Sequence, residues 1–437
     1  MDRTIRTILL EWQKKKLPEI IKREIDLSHY LRMKPAKIIV VTGFRRVGKT
    51  YSVLYLIKNL LQEISREEII YINFEDERIP AKTEFLTKLI PGIRQLFEKE
   101  IKFLFLDEIQ NIPHWTKWLR RIYDNENIRI FVSGSSSKMS GQEIPTELRG
   151  RFLEVKIFPL SFSEFLYFRN LNFDLKTIDY VAGEKARLLK NLEEYLKYGA
   201  LPEIVLADED KKIELAHSYF QTVIRRDIIE RYGIRNEETL KAILRLLLNS
   251  KSYSISKIHN TLKSLNFEIG KATIQRYLSF IENSYFMISL PIFSYKIRDQ
   301  LQYPRKVYFI DNIFITSIST KFSENMGRLY ENLVAVELLR RQARNPLLEL
   351  YYWRNIQHEE VDFVVKNDTK IEELIQVCYD IDDIDTKKRE MRALFRAGNE
   401  LKCDNLIVLT ENYEGIEKYR NKKIEIFPLW KWLFNSG

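Results

Sequence analysis

Cysteine is nearly absent. Two thiols, Cys378 and Cys403, in 437 residues exclude a disulfide framework and point to a reducing cytosol. Those thiols and five scattered histidines argue against a structural zinc site. With 12 prolines and 14 glycines the chain has little room for disordered linker. No run of eighteen apolar residues occurs, so no membrane-spanning segment is expected. The opening MDRTIRTILLEWQKKK lacks the apolar centre of a signal peptide. What remains, 45% hydrophobic and 30% charged residues, is the make-up of a folded, soluble protein, and the length implies two to four domains. The net charge of +10 favours a polyanionic partner such as nucleic acid, although a lysine-rich solvated surface accounts for it equally well. Abundant Lys, Glu, Arg and Ile with few Gln and Met resembles a thermophile's usage.

Helical spacing of Ile5, Leu9, Trp12 and Leu17 opens the chain. The period then changes. KIIVVTG (37–43) is a β-branched run stopped by glycine, the mark of a buried parallel strand, and a helix is expected from Lys49 through Leu61. EIIYINFED, KFLFLDE and IRIFVSGSSS supply further strands, so the fold class is α/β with a parallel sheet. After RFLEVKIFPLSF the pattern turns helical. Residues 238–290 read helix, helix, turn, helix, followed by YFMISLPIFSY as a hairpin, the outline of a winged helix. A second α/β pattern starts near 301 with KVYFID. The expected organisation is a core over 1–160, a helical lid over 161–235, a winged helix over 236–300 and a smaller α/β domain over 301–437.

GFRRVGKT matches G-x-x-x-x-G-K-[ST] between a strand and a helix. Glycines let the backbone curl its N–H groups inward, and the helix N-terminus adds positive potential for phosphate. Gly43, Phe44, Arg45, Arg46, Val47, Gly48, Lys49, Thr50 and the following Tyr51 are therefore the expected ATP/ADP-binding residues. Lys49 is expected to bridge the β- and γ-phosphates, and Thr50 to give its hydroxyl to Mg²⁺. The third strand ends in Asp107, expected to hold the Mg²⁺ shell, and Glu108, expected to polarise the attacking water. In SGSSS, Ser133 and Ser135 are candidates for sensing the γ-phosphate, an ordinary turn being the alternative. In ELRGRF, Arg151 is preferred over Arg149 as an arginine serving the γ-phosphate, against a surface or nucleic-acid role.

GFRRVGKT, FLFLDEIQNIPHWTKWLRRIYD, FVSGSSS, LRGRFLEVKIFPLSFSEF and YGALPEIV together resemble the AAA+-type P-loop ATPases widespread in archaea and bacteria, over nearly the whole chain. The resemblance implies an ATPase core, a helical lid, a winged helix and a C-terminal domain similar to the PD-(D/E)XK nuclease fold. In that fold a helix glutamate, a strand aspartate and an acid-x-lysine strand gather Mg²⁺ and a water. The matching positions here are Glu331, Asp362, Gln376 and Cys378. An amide is a poor Mg²⁺ ligand and a thiol carries no fixed positive charge, so loss of nuclease activity is expected. Lys387 or Lys388 reaching back keeps the active reading open. Cys378 as a nucleophile with His358 as base is a further reading, against a buried apolar cysteine.

The candidate recognition helix carries Lys271, Gln275 and Arg276. Lys296, Arg298, Arg305 and Lys306 follow the hairpin, all suited to phosphate contacts or groove reading. The same helices could instead serve only for packing. The sequence therefore implies a Mg²⁺-dependent ATPase that repositions a DNA-binding C-terminal half. Its rivals are an ATP-gated DNA endonuclease and an ATP-switched regulator or scaffold with a protein partner. A homo-oligomer is implied if the arginine acts in trans.

Overall fold

The computed structural model describes residues 1–134, 148–319 and 326–435. The chain forms two compact units, Met1–Ile157 and Phe158–Gly437.

In the first unit, helix α1 (Arg3–Lys14) is capped by Asp2, whose carboxylate accepts from the Thr4 and Ile5 amides. The helix ends before Leu17, which the sequence spacing had included. Leu17 precedes Pro18, a position at which helical backbone is disfavoured. Trp12 anchors α1, its indole N–H donating to the Ile69 carbonyl at 2.7 Å. Strand β1 (Ile38–Gly43), helix α2 (Lys49–Leu60), β2 (Ile69–Asn73), α3 (Thr83–Leu96), β3 (Phe103–Asp107), α4 (Trp115–Asn125), β4 (Arg129–Ser133) and β5 (Phe152–Ile157) follow. The sheet is parallel in the order β2-β3-β4-β1-β5. Every residue of β1 is buried, which explains why its sequence runs without polar alternation. Each such fully buried aliphatic side chain contributes roughly 1.5–3 kcal/mol of transfer free energy. Asp107 pairs in register with Ser133, and Ser133 lies level with Val41, so the acids of β3 and the end of β4 share the sheet edge on which β1 delivers Gly43.

The second unit begins with helices α5 (Phe162–Phe168), α6 (Ala182–Tyr198), α7 (Pro202–Leu206) and α8 (Glu209–Thr222), the last continuing as a π-helix over Val223–Glu230. Helix α9 (Glu237–Leu248), β6 (Ser252–Tyr253), α10 (Ile255–Ser264), α11 (Lys271–Asn283), β7 (Met287–Leu290), α12 (Ile297–Gln302) and β8 (Arg305–Phe309) come next. These strands form an antiparallel sheet in the order β6-β8-β7. The sequence reading had paired YFMISLPIFSY with itself and assigned KVYFID to the C-terminal pattern. Instead β7 pairs with β8 across the segment containing α12, because the proline at 291 and the helix interrupt a tight return.

Helices α13 (Asn312–Ile318) and α14 (Met326–Arg344) lead to β9 (Leu348–Arg354), β10 (Glu360–Asn367), β11 (Lys370–Val377), α15 (Ile384–Glu400), β12 (Leu406–Thr410), β13 (Gly415–Tyr419), β14 (Lys422–Pro428) and α16 (Leu429–Asn435). Their mixed sheet runs β13-β14-β12-β11-β10-β9. The YGALPEIV stretch has a local cause here. Buried Asp311 caps α13 through the Ile313 amide at 3.0 Å and accepts the Ala200 amide at 2.7 Å. Its Oδ1 stands 1.6 Å from where a Cβ on Gly199 would be, so only glycine fits.

Candidate functional site

The turn between β1 and α2 is built by its glycines. Gly43 has φ +140°, and a Cβ there would meet the Ile157 carbonyl oxygen at 2.2 Å. Gly48, at φ 96°, is the left-handed residue that starts α2. Phe44 and Val47 are buried and hold the loop to the core, while Arg46 and Tyr51 are exposed and Arg45 is half-buried. The buried Lys49 ammonium donates to the Gly43 and Phe44 carbonyls at 3.1 and 2.9 Å, so it spans the mouth of the loop. Arg23, from the segment before β1, donates to the Val47 carbonyl at 2.8 Å. With Ile21, Ile25, Tyr51, Tyr55 and Asn59 it lines a concavity beside α2.

Asp107 is the centre of the polar network. Its Oδ2 accepts the Thr50 hydroxyl at 2.7 Å and the Tyr71 phenol at 3.0 Å, and its Oδ1 accepts the Ser133 hydroxyl at 2.5 Å. Burial, and then the charge of Asp107, hold the Tyr71 phenol far above its usual range, so it remains a donor. Glu108 stands beside Asp107 with a left-handed backbone, φ 54°, of the kind that collects at functional sites. Burial raises its carboxyl above the ordinary range against the opposing charge of Lys49, and Asp107 and Glu75 raise it further. The Gln110 amide donates to its Oε2.

The structure thus brings Lys49, Thr50, Asp107, Glu108 and Ser133 to one sheet edge. Ser133 serves Asp107 rather than facing outward, because its hydroxyl is 1% exposed and bound to the carboxylate. Ser135 lies outside the described residues. Arg151 is not part of the site within this chain. It precedes β5 at the opposite end of the strands, accepts the Ile38 amide on its carbonyl, and binds Asp124 through Nε at 2.9 Å. The motif ELRGRF named a residue type without revealing which end of a strand it would occupy. Arg23, Tyr71 and Gln110 were missed, since nothing local marks them.

A second acid cluster lies in the second unit. Glu331 on α14 and Asp362 on β10 do converge, as do Gln376 and its neighbour Val377. The cation among them is Lys306 of β8, at 2.9 Å from Glu331, 2.6 Å from Asp362 and 2.8 Å from Glu360. This corrects the reading of Lys306 as a phosphate contact, since its side chain is 6% exposed. Burial opposes its charge, but Asp362 and Glu331 outweigh that and hold the ammonium well above its ordinary range. Burial, aided by Glu331 and opposed by Lys306, pushes Asp362 up to about 7. Lys387 pairs instead with Glu417, and Lys388 is exposed. Cys378 packs in the apolar core, its thiol pushed up to about 12 by burial and bound to the Asp380 carbonyl, while His358 is exposed beside Arg354. The thiol–imidazole pairing is therefore not formed. On α11, Lys271, Gln275 and Arg276 are exposed, as are Lys296 and Arg298; Arg305 is half-buried.

Three stretches match known family descriptions: an AAA domain over residues 35–166, and two domains of unknown function, DUF8612 over 189–324 and DUF4143 over 326–432. The chain is 40% identical over 428 residues to the uncharacterized protein MJ1544 of Methanocaldococcus jannaschii, covering 95% of this chain and 92% of that one. An uncharacterized protein of Haemophilus influenzae is 28% identical over 429 residues, covering 95% of this chain and 98% of its own. Among solved structures, the Walker-type ATPase of Pyrococcus abyssi covers 70% of this chain and 99% of its own at 15% identity and a TM-score of 0.47. No described helix is long and apolar enough to cross a membrane.

Proposed function

The chain belongs to the family of MJ1544, with an AAA domain at its P-loop end, and on that premise we propose that it is a Mg²⁺-dependent ATPase whose cycle repositions a DNA-binding C-terminal half. The observation that carries the reading is the convergence of Lys49, Thr50, Asp107 and Glu108 on the edge where Gly43 turns.

The residues fit a metal-bound nucleotide. Thr50 and Asp107 present a hydroxyl and a carboxylate 2.7 Å apart, an all-oxygen pair suited to Mg²⁺, which when bound neutralises phosphate charge. Lys49 exchanges its bonds to the two loop carbonyls for the β- and γ-phosphate oxygens, and the α2 N-terminus adds its amide dipoles. The concavity of Ile21, Ile25, Tyr51 and Tyr55 offers the base an apolar and aromatic lining. Water attacks the γ-phosphorus as the bond to the ADP oxygen breaks, and the water's proton passes to Glu108. The raised carboxyl of Glu108 suits that transfer, and Gln110 fixes its orientation.

The DNA-binding part is supported by the order α9-β6-α10-α11-β7-α12-β8, which resembles a winged helix with a helix inserted between its last two strands, and by the exposed Lys271, Gln275 and Arg276 of α11. Steady-state ATP turnover, with and without duplex DNA at two salt concentrations, tests both parts. Turnover stimulated by DNA and weakened by salt is expected. Absence of turnover refutes the ATPase reading, and turnover indifferent to DNA refutes the DNA-binding half and favours a protein partner.

A further inference from the structure

The C-terminal acid cluster differs from the nuclease pattern in what stands at its centre. Glu331 comes from α14, Glu360 and Asp362 from β10, and Lys306 from β8. The three N–H donors of the Lys306 ammonium are matched by three carboxylates, at 2.6, 2.8 and 2.9 Å. Two of the carboxylates take further donors. Glu331 Oε1 takes the Tyr308 hydroxyl at 2.7 Å, and Asp362 Oδ2 takes the Val377 amide at 2.9 Å. Gln376 gives its carbonyl to the Asp362 amide and its NH₂ to Glu390. Magnesium asks for six oxygens in an octahedron at about 2.0–2.1 Å, whereas these acids are spaced for N–H···O bonds. Among the described residues no group of three His, Cys, Asp or Glu side chains is arranged to hold a metal ion. The Mg²⁺ that a PD-(D/E)XK resemblance implies does not fit here.

We propose that Lys306 is the permanent cation of this cluster, seated where a divalent ion would otherwise gather the acids, and that the cluster is a clamp rather than a nuclease centre. β8 is the central strand of the three-stranded sheet, so the ammonium fastens that sheet to α14 and to β10 of the six-stranded sheet. Without a bound metal no hydroxide is generated for attack on a phosphodiester, and Lys306, fully occupied by carboxylates, is not offered to a phosphate.

The test is a Mn²⁺ titration followed by electron paramagnetic resonance of the free ion. It uses the nucleotide-free full chain carrying Asp107→Asn, which silences the phosphate-loop site. With Lys306 in place, no binding that depends on Asp362 is expected. Lys306→Ala should gain one Mn²⁺ per chain and lose it again with Asp362→Asn. One Mn²⁺ per chain in the Lys306 protein, removed by Asp362→Asn, overturns the proposal, as does a folded Lys306→Ala chain that takes up none. Since Lys306→Ala leaves buried acids uncompensated, thermal melts give a second route. Lys306→Met alone should lower Tm by roughly 5–10 °C, and Lys306→Met combined with Glu331→Gln and Asp362→Asn should recover most of it. Equal losses in both variants refute the clamp.

Discussion

Two buried lysines of this chain meet acids in opposite ways. At the phosphate loop, Lys49 is held by two backbone carbonyls, and the Asp107 carboxylate is held by hydroxyls. Bonds to carbonyls and hydroxyls cost less to exchange than bonds within a buried ion cluster, and Lys49 also opposes the Glu108 charge. In the second unit, Lys306 sits among three carboxylates, one cation shared by three acids. Withdrawing that cation would leave buried acids uncompensated, so it resists exchange. The contrast is between a lysine that bonds to backbone carbonyls and one ringed by carboxylates.

The sharpest way to break that comparison is to remove each lysine in turn. Lys49→Ala should reduce ATP turnover by about 10³-fold, the scale of losing a preorganised charge at a reacting group. Lys306→Met should leave turnover per folded molecule unchanged and register only in the melt. Reversed outcomes would mean that the roles are exchanged. Next in size, Glu108→Gln should retain ATP in an equilibrium binding assay yet lower kcat by about 10²–10⁴-fold. The pH profile follows from the same residue. Glu108 must be ionised to accept a proton, and its carboxyl is raised, first by burial. The acid limb of kcat should therefore fall at a pH above the ordinary carboxylate range and be absent from Glu108→Gln. A limb at the ordinary carboxylate position would show Glu108 to be solvated during turnover. The smallest effect belongs to α11. Lys271→Ala and Arg276→Ala should each lower the slope of log affinity for duplex DNA against log salt by about one, with ATP turnover in the absence of DNA unchanged. An unaltered slope removes α11 from the DNA interface.

The parallel sheet, the phosphate loop and the Asp107–Glu108 pair were legible because each is written in contiguous residues whose strand and helix context is local. Position along a strand was not. Arg151 has the chemistry expected of a γ-phosphate partner but sits beside Ile38, at the far end of the sheet from Gly43. Tyr71 reaches Asp107 only because β2 and β3 are neighbours, a fact of strand order. In the second unit, Glu331 and Asp362 could be picked from the nuclease pattern. Their cation could not, since Lys306 is 25 and 56 residues away from them and comes from a strand of another sheet. Gln376 and Cys378, two residues apart, parted company as well. Gln376 entered the polar cluster and Cys378 the apolar core.

The seating of Lys306 also bears on how the cluster could be rebuilt. A route to a metal centre has no easy first step. Gln376→Glu alone would crowd another acid beside Asp362 and Glu390 with no new cation, and Lys306→Ala alone would strand Glu331 and Asp362 in the interior. Each single change leaves buried acid uncompensated, so on the clamp reading a metal centre requires both positions to change together.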